Sequence, residues 1–185
     1  MRHRLVNTCL LVAGIAASAT IASAQEEVKT GRLYEAGIDG GIAFGVSKPT
    51  STTIGIPAQT MRFGIFINRR WSIEPAFGIQ SESGSGSRVT RYNLTLGTLY
   101  HITKRPARVG VGWYARPFLG MTGIDTNNSS NDTRALMGIG GGYKIRLTDR
   151  FAGRFEGNYQ YLFSAGDEGS QNQLGITFGL SFFTR

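Results

Sequence analysis

Catalysis would have to depend on very few residues of this chain, because histidine and cysteine are both scarce. The sequence contains two histidines and one cysteine, and only His101 lies beyond the first 24 residues. A hydrolase that uses a histidine base needs a nucleophile within hydrogen-bond reach of that base. The hydroxyl nearest to His101 at strand spacing is that of Thr103, which falls in a turn. We therefore interpret His101 as an interior or rim residue and expect no enzymatic activity.

Metal and cofactor chemistry has equally little support. With one histidine and no cysteine beyond the N-terminal segment, carboxylates are the main candidate metal ligands, and they are dispersed over separate segments. The glycine-rich stretch 138–142 is followed by Tyr143, where the dinucleotide-binding pattern G-x-G-x-x-G requires its third glycine. We expect neither a metal nor a cofactor.

The N-terminal segment has the features of a secretory signal peptide. Arg2 and Arg4 precede an apolar stretch that ends at Ile21, and residues 22–24 form an Ala-Ser-Ala cleavage site. The only cysteine, Cys9, would be removed with this segment. The formal net charge of the whole chain is +8. Because the cations are spread over strands and turns, and are not clustered among aromatic residues, we expect no nucleic-acid binding.

The rest of the chain consists of eight runs in which apolar and polar residues alternate. In the last run Leu174 and Ile176 share one face, and Gly175 lies on the other. A period of two is typical of strands between two different environments. The runs cover residues 33–46, 56–67, 71–81, 88–102, 108–124, 133–147, 151–163 and 173–182. Pro75 and Pro117 lie within runs, and because proline cannot donate a ladder hydrogen bond, we expect bulges near them.

The composition of the polar face indicates which face points inward. This face carries arginines, glutamates and many glycines, among them Gly110, Gly112, Gly120, Gly138, Gly140, Gly142, Gly175 and Gly179. On the water-exposed exterior of a soluble barrel glycine would only weaken the strands, whereas in a crowded interior it makes room. We therefore predict an all-β fold, namely an eight-stranded antiparallel up-and-down transmembrane β-barrel whose apolar face meets lipid.

The links between the runs alternate in length. Short basic links at 68–70, 103–107 and 148–150 alternate with longer polar links at 47–55, 82–87, 125–132 and 164–171. This rhythm is typical of outer-membrane barrels, with tight turns in the periplasm and longer loops outside. It predicts a signal peptide at residues 1–24, an N-terminal periplasmic segment at 25–32 and the barrel domain at 33–185.

Aromatic residues lie at two levels of the apolar face. We expect one ring of them near the short links and another near the long links, as in the interfacial girdles of membrane barrels. The predicted girdle residues are Tyr34, Trp71, Tyr100, Phe151 and Phe182 near the short links, and Tyr92, Tyr161 and Phe163 near the long links.

The chain resembles the small eight-stranded outer-membrane β-barrel proteins, a family that includes the OmpA transmembrane domain, OmpX and opacity-type proteins. The resemblance is most concrete in residues 140–150, Gly-Gly-Gly-Tyr-Lys-Ile-Arg-Leu-Thr-Asp-Arg, followed by Arg154, Glu156, Tyr159 and Tyr161. These residues look like the sixth strand, tight turn and seventh strand of that family. The resemblance implies an outer-membrane location in a Gram-negative bacterium, but it identifies no particular activity.

Charged residues that point inward must be neutralised, because the interior of an eight-stranded barrel is filled by its own side chains. The inward set is Glu35, Asp39, Arg62, Glu74, Arg91, Arg116, Arg134, Lys144, Arg146, Arg154 and Glu156. From it we predict a structural ion-pair network of Arg62, Glu74, Arg116, Lys144, Arg154 and Glu156. Alignment about the short links places Arg62 diagonal to Glu74 and Lys144 diagonal to Glu156.

These features favour a structural or surface-interaction role with a lumen plugged by side chains. The alternatives are a small low-conductance channel and a lipid-modifying outer-membrane enzyme. We expect contacts with outer-membrane lipids and with the barrel-assembly machinery, and we expect a monomer. The sequence leaves open whether an extracellular ligand exists and what it is.

Overall fold

The structure is a computed structural model that describes residues 33–47, 51–55, 59–84, 87–102, 111–126, 129–165 and 169–184. The predicted signal peptide, the predicted N-terminal periplasmic segment and the short link at residues 103–107 lie outside these described residues. Among the described residues, no helix is long and apolar enough to cross a membrane.

Nine strands make up the described fold, and two of them share one position in the sheet. The strands are β1 (Tyr34–Ser47), β2 (Ser51–Gly55), β3 (Thr60–Phe66), β4 (Trp71–Gly84), β5 (Ser87–His101), β6 (Gly112–Thr126), β7 (Ser129–Arg146), β8 (Phe151–Leu162) and β9 (Gln171–Thr184). Both β2 and β3 pair with β1, along its second and first halves respectively. The sheet therefore has eight strand positions around it.

Antiparallel pairing between consecutive strands is completed by pairing between the first strand and the last. β1 and β9 pair from Tyr34↔Thr184 to Val46↔Asn172, which closes the sheet on itself. Every ladder is antiparallel, so the chain runs up and down around the barrel. The prediction of an eight-stranded antiparallel up-and-down barrel is confirmed.

The alternation along each strand separates an apolar exterior from a polar interior. In β3, Met61, Phe63 and Ile65 are exposed, whereas Arg62 and Phe66 are buried. The same arrangement recurs in the other strands, so large apolar side chains cover the outside of the barrel. Such a surface requires a lipid environment, because in water this large apolar area would remain exposed to solvent, which is unfavourable.

Strands extend into segments that the sequence analysis assigned to the longer links. β2 lies entirely within the predicted link 47–55, β4 continues to Gly84, β6 ends only at Thr126, and β7 begins at Ser129. The predicted link boundaries are therefore wrong at these places. The reason is physical: beyond the bilayer both faces of a hairpin meet water, so no alternation marks the strand in the sequence.

The two prolines leave the strand register unchanged. Arg62↔Ala76 and Ile65↔Ile73 continue one register on either side of Pro75. Pro117 is likewise paired within an unbroken register between β6 and β7. The register shift in that ladder lies between Ile124 and Thr126, so the expectation of bulges at the prolines is wrong. Each proline costs a ladder hydrogen bond without displacing the chain.

Two tight turns, β3–β4 and β7–β8, lie at the same end of the barrel, which we call the turn end. The opposite end, where β4 meets β5 and β6 meets β7, is called the loop end. In the order around the closed sheet the two turns are four strand positions apart. They therefore lie on opposite sides of the barrel.

Candidate functional site

Charged side chains from six strands converge inside the half of the barrel nearest the turn end. The lumen network is defined here by Glu35 and Asp39 of β1, Arg62 of β3, Glu74 of β4, Arg116 of β6, Lys144 of β7, and Arg154 and Glu156 of β8. Each of these eight side chains has at least one exposed neighbour along its strand, as the alternation predicts.

Glycines on facing strands provide the room that these long side chains occupy. A Cβ atom at Gly140 would lie 2.8 Å from Oε1 of Glu156, and one at Gly37 would lie 2.5 Å from Cζ of Arg62. Glycine at these positions avoids a direct collision with the network. The inward glycines and inward charges are therefore parts of one packing arrangement.

Arg62 joins three strands on one side of the lumen. Its guanidinium donates to Glu35, to Oδ2 of Asp39 at 2.8 Å and to Oγ of Ser181 at 2.7 Å. A carboxylate oxygen of Glu74 lies 3.6 Å from the same guanidinium. Because arginine presents several donors in a fixed plane, it can bond these acceptors simultaneously.

Arg154 does the same on the other side of the lumen. It donates to Oε2 of Glu74 at 2.7 Å, to Oε2 of Glu156 at 2.5 Å and to the hydroxyl of Tyr114 at 2.7 Å. The Tyr114 hydroxyl donates in turn to Glu156 at 2.8 Å, and Arg116 donates to the other oxygen of Glu156 at 2.5 Å. Glu74 thus connects the arginines of the two sides.

Lys144 forms its ion pair across the barrel instead of along the neighbouring strand. The register does place it diagonal to Glu156, but its Nζ donates to Oε2 of Glu35 at 2.5 Å. Glu156 is already bonded by Arg116, Arg154 and Tyr114. Glu35, whose other oxygen accepts from Arg62, thus provides the acceptor for Lys144.

The lumen network balances its own charge. It contains four carboxylates and four cations, and each of these groups has an oppositely charged partner within 4.0 Å. Removing one member would take a counter-charge from its buried partners, which is costly in a low-dielectric interior. Chemically, this arrangement can hold the strands together, because its charged groups are paired across strands, although Oδ1 of Asp39 has no hydrogen-bond partner among the described atoms.

Apolar side chains pack inside the barrel next to the network. Phe66, Ala152 and Phe183 form a buried cluster at the turn end, with Leu33 packed against it. Further towards the loop end, Phe118, Leu136 and Leu162 form a second buried cluster. The guanidinium of Arg116 lies 4.4 Å from the centre of the Phe118 ring, so the second cluster contacts the network directly.

His101 has a hydroxyl partner that the sequence analysis missed. Its Nε2 lies 3.1 Å from Oγ of Ser72, which is 29 residues away in sequence and on the neighbouring strand. The expectation that no nucleophile lies within reach of His101 is therefore wrong in geometry. Both residues are nevertheless buried, at 1 % and 4 % exposure, and the ring of His101 stacks on Phe66 at 5.3 Å. Nδ1 of His101 has no hydrogen-bond partner among the described atoms.

Three arginines of the predicted inward set lie outside the lumen network, and two of them are exposed. Arg146 lies at the turn end, where it donates to Asp149 and to the backbone oxygen of Thr148 at 3.0 Å. Arg91 is exposed towards the loop end. Alternation gives the face of a strand but not the depth, so it does not distinguish these two exposed residues from the buried members of the set. Arg134 is buried, as expected for an inward residue.

The aromatic residues predicted to form a girdle pair across neighbouring strands. At the turn end Trp71 packs against Tyr100 at 4.9 Å and Phe151 packs against Phe182 at 5.2 Å, measured between ring centres. Tyr34 is exposed on β1 and is paired with Thr184 of β9.

Towards the loop end the predicted aromatic residues also meet polar and aromatic partners. The ring of Tyr161 lies 5.1 Å from that of Phe163. The hydroxyl of Tyr92 hydrogen-bonds to that of Thr133 at 2.5 Å. Phe163 is exposed, and Tyr92 and Tyr161 are half-buried.

One further aromatic pair at the turn end was missed. Trp113 is exposed, and its ring lies 5.0 Å from that of Tyr143 on the neighbouring strand. In the sequence, Tyr143 follows a glycine-rich stretch and belongs to the segment that resembles the family's sixth strand. Because Tyr143 directly precedes Lys144, which points inward, the alternation of a strand predicts that Tyr143 points outward.

Metal binding has no support within the described part of the chain, where no group of three or more histidine, cysteine or acidic residues is arranged to hold an ion. The carboxylates of the lumen network are bonded to arginine and lysine instead.

Comparison with solved structures shows that the fold is that of small membrane barrels. Neisserial surface protein A, NspA, superimposes with a TM-score of 0.59 at 10% identity, covering 80% of this chain and 96% of that one. Ail, the attachment invasion locus protein of Yersinia pestis, gives a TM-score of 0.53 at 12% identity, covering 84% of this chain and 100% of the other. At these identities the likeness concerns the fold alone.

Sequence comparison identifies the family. No curated protein matches the sequence significantly. A family model for the outer membrane protein beta-barrel domain matches residues 8–182, which is nearly the whole chain. The predicted resemblance to small outer-membrane barrels is therefore confirmed, and the apolar exterior of the barrel is its membrane surface. The chain belongs to the outer membrane protein beta-barrel domain family.

Proposed function

We propose that this protein is a closed, non-enzymatic outer-membrane barrel with a structural or surface-interaction role. The supporting observation is the lumen network, in which each charged group already has a partner of opposite charge within the barrel. A pore would need side chains that leave space for water and exchange partners with passing ions. Here the interior is occupied by paired groups and by the cluster of Phe66, Ala152 and Phe183.

The proposal includes export and assembly. Residues 1–24 direct secretion and are removed, and the barrel-assembly machinery inserts the remaining chain as a monomer. The lipid-facing surface and the aromatic pairs at the turn end support a stable position in the outer membrane. We place the turn end in the periplasm and the loop end outside, where strands that extend into polar sequence offer a surface for an extracellular ligand.

The closed lumen predicts an absence of steady ion current. Purified protein, folded in detergent and added to a planar lipid bilayer, should leave the conductance at the level of the bare membrane because the paired side chains fill the interior. The measurement is single-channel recording under an applied voltage. A general porin added to the same bilayer provides the positive control. Reproducible stepwise openings in the presence of this protein would favour the channel alternative.

The enzymatic alternative is represented by Ser72 and His101. Their separation of 3.1 Å fits a nucleophile and its base, but a lipid substrate could not reach atoms that are buried in the lumen beside Phe66. We therefore expect the composition of lipid A to be the same in cells that overproduce the wild type and in cells that overproduce Ser72→Ala. Mass spectrometry of extracted lipid A makes the comparison. A modified lipid A that appears with the wild type and disappears with Ser72→Ala would establish an enzyme.

A further inference from the structure

The two turns at the turn end are built in the same way. In the first, the backbone N–H of Ile67 donates to the carbonyl of Trp71 at 2.9 Å, and Oδ1 of Asn68 accepts from the N–H of Arg70 at 2.8 Å and of Trp71 at 2.9 Å. From Ile67 to Trp71 this turn has, in succession, an apolar residue, a capping side chain, a residue that differs between the two turns, an arginine and an aromatic residue.

The second turn repeats these contacts on the opposite side of the barrel. The N–H of Leu147 donates to the carbonyl of Phe151 at 2.9 Å, and Oγ1 of Thr148 accepts from the N–H of Arg150 at 3.3 Å and of Phe151 at 3.1 Å. Asn68 and Thr148 thus perform the same local capping of the chain.

The backbone of each turn arginine is held in place by the next strand. The carbonyl of Arg70 accepts from the N–H of His101 at 2.7 Å, and that of Arg150 accepts from the N–H of Phe183 at 2.8 Å, so each arginine backbone is bonded to the next strand. The residue that follows is Trp71 in one turn and Phe151 in the other, both on the lipid-facing surface. Both arginine side chains are exposed.

We propose that these two turns are binding sites for the phosphate of anionic phospholipid headgroups, with Arg70 and Arg150 as the principal ligands. The aromatic neighbours place each guanidinium at the level of the headgroups, and arginine matches the geometry of a phosphate. Ile67 and Leu147, the apolar first residues of the two turns, are exposed and offer a surface for the acyl region of the same lipid.

The variable position makes the two sites unequal. Arg69 adds a second exposed cation to the first turn, whereas Asp149 occupies the same place in the second turn and pairs with Arg146. A phosphate therefore meets two cations at the first turn. At the second turn it meets one free arginine beside a carboxylate, so the first site has the stronger preference for anionic lipid.

Tryptophan fluorescence can measure this preference at each turn separately. The chain has two tryptophans. With Trp113→Phe, Trp71 alone reports on the first turn, and adding Trp71→Phe and Phe151→Trp moves the reporter to the second. Each protein is folded into phosphatidylcholine vesicles that contain phosphatidylglycerol with brominated acyl chains. Quenching is compared with that by brominated phosphatidylcholine, and folding is checked by the gel mobility of unheated samples.

At low salt, phosphatidylglycerol should be enriched at least about fivefold over phosphatidylcholine at Trp71, because one arginine alone attracts an anionic surface by about that factor and this turn has two. Enrichment at the second turn should be smaller. Arg69→Gln with Arg70→Gln should reduce the ratio at Trp71 to near one, and Asp149→Asn should raise it at the second turn. Salt at about 1 M should weaken both ratios, because the Debye length falls to roughly 3 Å.

Arg88→Gln is the matched control, because Arg88 is an exposed arginine that donates to Ser81 away from both turns. It should leave both ratios unchanged. An equal response to Arg88→Gln and to the paired turn substitutions would overturn the proposal, as would a wild-type ratio of one. Because the vesicles carry the same lipids in both leaflets, the result does not depend on the orientation of the barrel or on whether its lumen conducts.

Discussion

Glu74→Ala is expected to destabilise the barrel by about 3 to 5 kcal/mol, the cost of removing one partner from a buried ion pair. Glu74 is 1 % exposed and accepts from Arg154 at 2.7 Å, while Arg62 lies at 3.6 Å. Without this carboxylate, two buried guanidinium groups would lose a shared counter-charge. The free energy of unfolding, from urea titration of the protein in detergent or lipid, provides the measurement.

Two further variants separate the effect of charge from that of shape. Glu74→Gln keeps the size of the side chain and one acceptor, so its loss of stability should be smaller than that of Glu74→Ala. Asp149→Ala breaks the exposed ion pair with Arg146, in which the Asp149 side chain is 74% exposed, and should cost about 0 to 1 kcal/mol. An unchanged unfolding midpoint for Glu74→Ala would show that the network does not contribute to stability.

Leu96→Arg is expected to cost about 2 to 4 kcal/mol, because it places a charge at the middle of the lipid-facing surface. Leu96 is 46% exposed on β5, between Pro75 of β4 and Leu119 of β6. It lies midway between Tyr92 and Tyr100, the two predicted girdle residues of that strand. The eight residue steps between these tyrosines extend roughly 27 Å along the strand, or about 20 Å across the bilayer at the usual tilt.

Depth provides the control for this prediction. Ile102 is also exposed, but it lies two residues beyond Tyr100 at the turn end. Ile102→Arg should therefore cost only about 0 to 1 kcal/mol, as expected near the interface. Refolding into lipid vesicles, followed by urea titration, compares the two variants. Equal losses at both positions would contradict the assignment of Leu96 to the middle of the membrane.

The sequence was sufficient to predict the architecture because alternation is a local signal. Residues 173–182 of β9 show their faces by their own chemistry, and the final pairing with β1 requires no information beyond the number of strands. The same signal predicted that Arg62, Glu74 and Glu156 share an interior. It failed at β2, because a hairpin surrounded by water on both faces carries no alternation.

Contacts across the lumen could not be predicted from the sequence. Lys144 and Glu35 are 109 residues apart, and their bond depends on which acceptors Arg116 and Arg154 have already occupied. The pairing of Ser72 with His101 likewise depends on the register between β4 and β5. Strand patterns predict which face a residue occupies and which residue it meets across a tight turn. They do not predict which long side chains meet across the lumen, because that depends on the three-dimensional structure.

The ladder between β1 and β9 has a consequence for the order of folding. Its outermost pair, Tyr34 and Thr184, joins residues 150 positions apart, since 184 minus 34 is 150. Such a pairing has the largest entropic cost of loop closure, and the remaining ladders reduce that cost only when they have already formed. Strand-by-strand growth from either terminus would leave open edges in the bilayer until this last step, where unpaired backbone groups are costly. Insertion and closure of the sheet should therefore be a single cooperative transition.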